Sequence, residues 1–250
     1  MTVLAIIGGS GLNRLANLES IRRQAVRTPY GAPSGALTFG RIAGHEVVFL
    51  ARHGHGHILP PHEINYRANV WALHAHGVTR VIAINAVGGI RADLQPGVLV
   101  MPDQIIDYTH GRAATFSGSG QGGVRHIDFT WPYSASLRTA CLQAAQRAGI
   151  SVLDGGVYAA TQGPRLETAA EITRLERDGA DMVGMTGMPE AALAKEIGLD
   201  YATVAAVVNQ AAGRGASRER IAVEAMEDVL RECMVKVQSI LDRLVTDDGS

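Results

Sequence analysis

RVIAINAVGG, residues 80–89, begins with a run of β-branched and apolar residues and ends on small ones and a Gly-Gly pair. A short, consecutive apolar run bounded by glycine reads as a buried strand. Working outward, VLAII (3–7), EVVFLA (46–51), VLVMPDQIID (98–107), DMVGMT (181–186) and YATVAAVVN (201–209) repeat the pattern. Between them lie segments of helical spacing: ANVWALHAHG (68–77), SASLRTACLQAAQRAG (134–149), TAAEITRLERDGA (168–180), PEAALAKEIG (189–198) and Arg218 to Val245. Gly77, Gly149 and Gly198 close three of these, as suits a residue in the left-handed region after a helix. Buried strands alternating with helices predict an α/β layered domain.

The chain has 250 residues, 46% of them hydrophobic, which suits one well-buried domain over residues 1–250. Its net charge is −1, with 23 basic and 24 acidic residues spread along the chain. That balance argues against a nucleic-acid partner and leaves any anion to a few local groups. Cys141 and Cys233 belong to no CxxC pair and are expected to be buried thiols in a reducing cytoplasm. The apolar run before Gly8 is too short for a signal segment, and nowhere do eighteen apolar residues run together, so no membrane partner is expected. GRAATFSGSGQGGVRH (111–126) lacks periodicity and is expected to be a mobile loop, about 111–125, inside one domain.

Five motifs bear on chemistry. IIGGSG (6–11) is a glycine-rich turn after a strand, where backbone N–H groups and Ser10 suit a phosphate or simply turn the chain; it is not a P-loop. RHGHGHILPPHEINY (52–66) packs histidines at 53, 55, 57 and 62. HxHxH after a strand is what a zinc hydrolase of barrel fold would use, but such a site needs later ligands, and no histidine lies beyond His126. No metal is therefore expected. Instead Arg52, with two parallel charged donors, and His53, with a further one, are expected to bind an oxyanion, while His55 and His62 read as surface residues. In INAVGG (84–89) the Ala86 N–H either joins the same site or the Gly-Gly pair simply turns the chain between strand and loop. In GMTGMPE (184–190) Thr186 suits another phosphate contact, and Met185 is either core or the floor of a ribose. Glu167, in TQGPRLET (161–168), is either a ligand or a first-turn acid favoured by the helix dipole. Asn209 interrupts an apolar strand at its C-terminal end, where α/β sheets bind ligands, or is a satisfied structural amide.

In order, IIGGSG, ARHG, NYRANVWAL, NAVGG, QPG, GPRLET, GMTGMPEAALAKE and the Asn209 strand resemble the trimeric purine nucleoside phosphorylase family, most closely its methylthioadenosine phosphorylase branch, over roughly residues 3 to 245. The resemblance implies a mixed, partly barrel-like sheet flanked by helices, and phosphorolysis as the reaction: phosphate and a purine nucleoside give a ribose 1-phosphate and free base. It implies no cofactor beyond phosphate as co-substrate, and a homotrimer with sites at subunit interfaces. Phosphate would be held by Ser10, Arg52, His53, the Ala86 backbone and Thr186. Leu166, Glu167, Met185, Asn209 and Ala211 would contact the nucleoside, with Asn209 and His53 in catalytic roles.

Departures from that branch bear on the substrate. The adenine-specific enzymes carry aspartates where this chain has Asn209 and Ala211, and a serine where it has Glu167. An asparagine amide suits a 6-oxo group and a protonated N7, and a carboxylate accepts the N1–H that hypoxanthine has and adenine lacks. Inosine phosphorylases of the family place a histidine on the C-terminal helix to meet the 5′-hydroxyl; here Ile221, Val223 and Met226 offer an apolar wall suited to a methylthio group. His57, and His126 from a neighbouring subunit, would border that pocket. The combination implies S-methyl-5′-thioinosine as substrate, giving hypoxanthine and 5-methylthioribose 1-phosphate. The alternatives are an inosine/guanosine or methylthioadenosine phosphorylase and, remotely, a zinc-dependent hydrolase or deaminase.

Overall fold

The computed structural model describes residues 3–12, 15, 17–118 and 123–247. Among them, eleven strands form one mixed sheet and five α-helices cover it. At its centre is β5 (Val78–Gly89). Along one edge β5 runs parallel to β11 (Asp200–Gln210), from Arg80 opposite Asp200 to Gly89 opposite Gln210. Along the other edge it has two partners in succession. Its first half runs parallel to β1 (Val3–Gly8), as far as Ala83 opposite Ile7. Its final glycines, 88 and 89, pair antiparallel with β10 (Met182–Gly184). Residues 84–87 thus lie on an edge that neither β1 nor β10 covers, and the mixed, partly barrel-like sheet forks there.

The remaining strands extend the two arms. β4 (His45–Ala51) runs parallel to β1 and continues antiparallel into β3 (Leu37–Ile42) and β2 (Glu19–Gln24). β9 (Val157–Ala160) and β7 (Gln104–Asp107) follow β10, both in parallel pairings. β6 (Leu99–Met101) and β8 (Val152–Asp154) lie beyond β11.

Side chains alternate across the central strands, as the two-residue period requires. Leu4 and Ile6, Ile82 and Ile84, and Ala202, Val204 and Ala206 form one core with α2 (Ala135–Arg147) and α5 (Val223–Asp247). Ala5 and Ile7, Val81 and Ala83, and Ala205 and Val207 form another with α1 (Tyr66–Ala75) and α4 (Gly187–Glu196). α3 (Ala169–Arg177) packs Ile172 and Leu175 on Val183, Ala159 and Ala211 in a smaller third cluster. Cys141 and Cys233 are both buried free thiols.

The structure differs from the sequence expectation in three places. The strand expected over 98–107 is two strands separated at Pro102, which has no N–H to give a ladder. β2, β3, β8 and β9 were not anticipated; five of the six residues of β2 are exposed, so it carries no apolar signal. The last helix begins at Val223 rather than Arg218, after a short 3₁₀ turn at Gly215–Ser217.

Candidate active site

The fork in the sheet opens into a cavity of about 640 Å³. Its walls come from the ends of β1, β4, β5, β10 and β11, the loops at 57–61 and 164–167, and the approach to α5. Ser10, Arg52, His53, His57, Ala86, Leu166, Glu167, Met185, Thr186, Asn209, Ala211, Ile221, Val223 and Met226 all line it. Residues as far apart in the chain as Gly9 and Met226 are brought together because β4 and β5 lie on opposite sides of β1.

One end of the cavity is built from backbone and buried polar groups. Gly8 and Gly9 permit a close turn: a Cβ on Gly8 would lie 2.1 Å from the Leu12 carbonyl, and one on Gly9 would lie 2.4 Å from the Ile84 carbonyl. The Ile84 carbonyl faces the uncovered edge of β5, where Arg52 Nη1 donates to it at 2.9 Å. Strand alternation puts the Ala86 N–H on that same edge. Thr186 Oγ1 accepts from Asn85 Nδ2 at 2.8 Å, so its own hydroxyl hydrogen is left for the cavity.

Arg52 and His53 differ from expectation in what they offer an anion. Arg52 is fully buried, and its fork is spent on Glu190, with Nε and Nη2 donating at 2.7 and 2.8 Å. Burial alone would lower its pKa; the Glu190 carboxylate outweighs that and raises it, so the charge is kept. Beyond the bonds to Glu190, Ile84 and Asn85, the guanidinium retains one N–H on Nη1, beside Gly9. A single donor, rather than two parallel ones, is what it can present. His53 Nδ1 donates to the Leu59 carbonyl at 2.8 Å, and burial followed by the Arg52 charge depresses its pKa to about 4. The ring is therefore neutral near pH 7, and its remaining nitrogen, Nε2, accepts rather than donates.

Elsewhere in the cavity wall, β11 departs from regular pairing. Val207 lies opposite Val87 and Asn209 opposite Gly88, so Val208 is an extra residue. This bulge turns both Val208 and Asn209 toward the cavity, which a regular strand would not do. Asn209 Nδ2 donates to the Gln210 carbonyl at 2.7 Å, which fixes the amide and leaves Oδ1 and one N–H. Glu167 precedes the helix rather than starting it. Thr168 caps α3 in a capping box with Glu171, so the dipole role falls to Glu171, while Glu167 accepts from Thr161 Oγ1 at 2.6 Å. Met185 packs tightly under Gly163, where an added Cβ would lie 2.4 Å from its sulfur.

The third wall is apolar: Ile58, Leu59, Pro60 and Pro61 face Ile221, Val223 and Met226. His57, at φ 56°, packs against His53 with ring centroids 4.1 Å apart and the planes tilted by 32°. His55 is outside this cavity and lies 3.2 Å from Arg23 Nη1, and exposed His62 is 3.8 Å from Glu63. His126 is exposed and does not line the cavity of its own chain. Among the described residues no group of His, Cys, Asp and Glu is arranged as a metal site.

Glu190, Asn85 and Val208 were missed in the sequence. Glu190 and Asn85 did carry a signal: each is a polar residue inside an apolar run, as Asn209 is. The bulge at Val208 depends on pairing with β5 and has none.

The phosphorylase superfamily model matches residues 3–246. A Pseudomonas syringae pv. tomato protein named probable S-methyl-5′-thioinosine phosphorylase is 53% identical over 98% of this chain and 99% of its own. The Pyrococcus furiosus 6-oxopurine nucleoside phosphorylase is 48% identical over 85% of this chain and 81% of its own. Among solved structures, methylthioadenosine phosphorylase from Schistosoma mansoni in complex with adenine superposes with a TM-score of 0.94 at 34% identity, covering 100% of this chain and 92% of that one. With a forked sheet, a cavity at the fork and these relatives in agreement, the chain belongs to the phosphorylase superfamily.

Proposed function

We propose that the protein is a purine nucleoside phosphorylase acting on S-methyl-5′-thioinosine, with phosphate as co-substrate and hypoxanthine and 5-methylthioribose 1-phosphate as products. The observation that carries the reading is one cavity with three chemically distinct ends: an anion cradle, a hydrogen-bonding end and an apolar wall. Ser10, Ala86 N–H, Thr186 and the free Arg52 N–H would hold phosphate. Monohydrogen phosphate has one O–H, and the bare Nε2 of His53 is suited to accept it. Met185 would support the ribose.

Cleavage of the glycosidic bond puts positive charge on the ribose, and a bound phosphate stabilises it before adding at the anomeric carbon. The departing base carries the bond's electron pair and takes up a proton at N7, which is overall the proton that monohydrogen phosphate gives up as it becomes the ribose 1-phosphate ester. Asn209 Oδ1 would accept from that N7–H, its free amide N–H would donate to O6, and Glu167 would accept from N1–H. Of the three relatives above, the two matched by sequence are named a probable S-methyl-5′-thioinosine phosphorylase and a 6-oxopurine nucleoside phosphorylase, which supports the base assignment. Ile221, Val223, Met226 and Ile58 support a methylthio group over a hydroxyl, since an unmatched hydroxyl costs about 1–3 kcal/mol.

A phosphate-dependent panel crossing hypoxanthine and adenine with 5′-hydroxyl and 5′-methylthio groups tests this. Methylthioinosine should give the highest kcat/KM, and equal values for methylthioadenosine would sink the base assignment. Ile221→His should raise inosine activity relative to methylthioinosine. Phosphorolysis that survives exhaustive chelation would separate this reading from a metal-dependent hydrolase.

A further inference from the structure

Arg112 lies outside the cavity, on the segment that follows β7, yet it bonds the backbone on two sides of it. Its Nη1 donates to the carbonyls of Met185 (2.7 Å) and Met188 (2.6 Å), and to Tyr66 Oη (3.2 Å). Its Nη2 donates to the carbonyls of Gln162 (2.9 Å) and Thr161 (3.3 Å). These acceptors are four carbonyls and a phenol, none of them a carboxylate, so the charge is committed to backbone dipoles. The guanidinium also lies over the Tyr66 ring, 5.4 Å from its centre.

The position of those carbonyls matters. β9 and β10 pair as far as Ala160 opposite Gly184, with one further bond from Thr161 N to the Gly184 carbonyl. Past that point no further ladder pairing joins the two chains, although Met185 still packs against Gly163. One leads through Gln162 and Pro164 to Leu166 and Glu167; the other goes to Met185 and Thr186. The ladder no longer fixes their separation, and Arg112 bridges them.

We infer that Arg112 is a positioning residue for the nucleoside: it sets the Met185 floor against the Glu167 wall. The inference rests on the nucleoside phosphorylase reading of the cavity. It also separates the two substrates. Thr186 Oγ1 is held from the other side by Asn85, and Arg52 by Glu190, so the phosphate end keeps its geometry without Arg112. Lysine cannot replace it, because Nη1 serves one chain and Nη2 the other, and a lysine has one ammonium nitrogen in place of the two.

Initial rates with each substrate varied separately, for wild type, Arg112→Lys, Arg112→Met and Glu196→Gln, test this. Glu196 serves as the control because it anchors the same segment farther on, accepting from Thr115 Oγ1 and the N–H groups of Phe116 and Ser117 away from the cavity. Both Arg112 variants should lose about 10–100-fold in kcat/KM for the nucleoside. KM for phosphate should stay within about twofold, and Glu196→Gln should show no such split. Equal losses for both substrates, the same split in Glu196→Gln, or unchanged kinetics in active Arg112 variants would overturn the inference alone. A wild-type protein that phosphorolyses no purine nucleoside would overturn it together with the reading beneath it.

Discussion

His53 and Arg52 are adjacent and both buried, and their neighbours force them into opposite charge states. Glu190 keeps the guanidinium ionised, and that charge, together with burial, keeps the imidazole neutral. The linkage has a definite sign. The unfolded chain takes up a proton near the ordinary histidine value of 6.5, whereas the folded ring waits until about 4. The stability this gives is fully present above pH 6.5 and is lost as pH falls toward 4, to an extent of roughly 3 kcal/mol. Urea midpoints should therefore drop between pH 7.5 and 5, and drop less in His53→Gln; equal drops would assign the effect elsewhere. Glu190→Gln should be more damaging at neutral pH. Removing one partner of a buried pair leaves a buried charge uncompensated, at a cost of about 3–5 kcal/mol. Denaturant unfolding at pH 7.5 measures that loss, and a variant as stable as wild type would show that water or Asn85 can replace the carboxylate.

At the scale of elements, β11 ends by doing two things through one residue. The Gln210 carbonyl fixes the Asn209 amide, while its side-chain Oε1 accepts from Ala216 N at 2.6 Å and packs against Gly215. Gly215 begins the 3₁₀ turn from which the chain runs to Ile221 and Val223. Gln210→Ala leaves the carbonyl in place but frees the turn. The preference for methylthioinosine over inosine should then fall about 3–10-fold, with the preference for hypoxanthine over adenine unchanged. A change in base preference instead would mean that the bulge itself has shifted. The segment expected to be a mobile loop makes defined contacts where it is described. Its first part is tied down by Arg112 and by Glu196, and Phe116 packs edge-on against Tyr30 with centroids 5.1 Å apart. Gly118 is the last of this part to be described, and residues 119–122 lie outside the described residues.

At the scale of the molecule, the apolar wall is open at its rim, where Ile58 is 74% and Val223 55% exposed. We propose that a neighbouring copy covers it in a homotrimer, bringing His126 to the 5′ end of the cavity. Sedimentation should give three times the chain mass, and His126→Ala should lower nucleoside kcat/KM without changing that mass; a variant as active as wild type would remove His126 from the site. No helix among the described residues is long and apolar enough to cross a membrane. The sequence by itself determined the layered α/β class, the five helices and most central strands, because burial on a sheet or helix face leaves a local period. It also marked the residues at strand ends, since Asn209 and Thr186 interrupt apolar runs. Only the tertiary structure decided how those residues are used. The Arg52 fork turns to Glu190, the His53 ring is an acceptor, and Val208 re-aims Asn209, because each outcome depends on partners distant in sequence. Hydrogen bonds and charge couplings act through space, and no local pattern records which distant group will supply them.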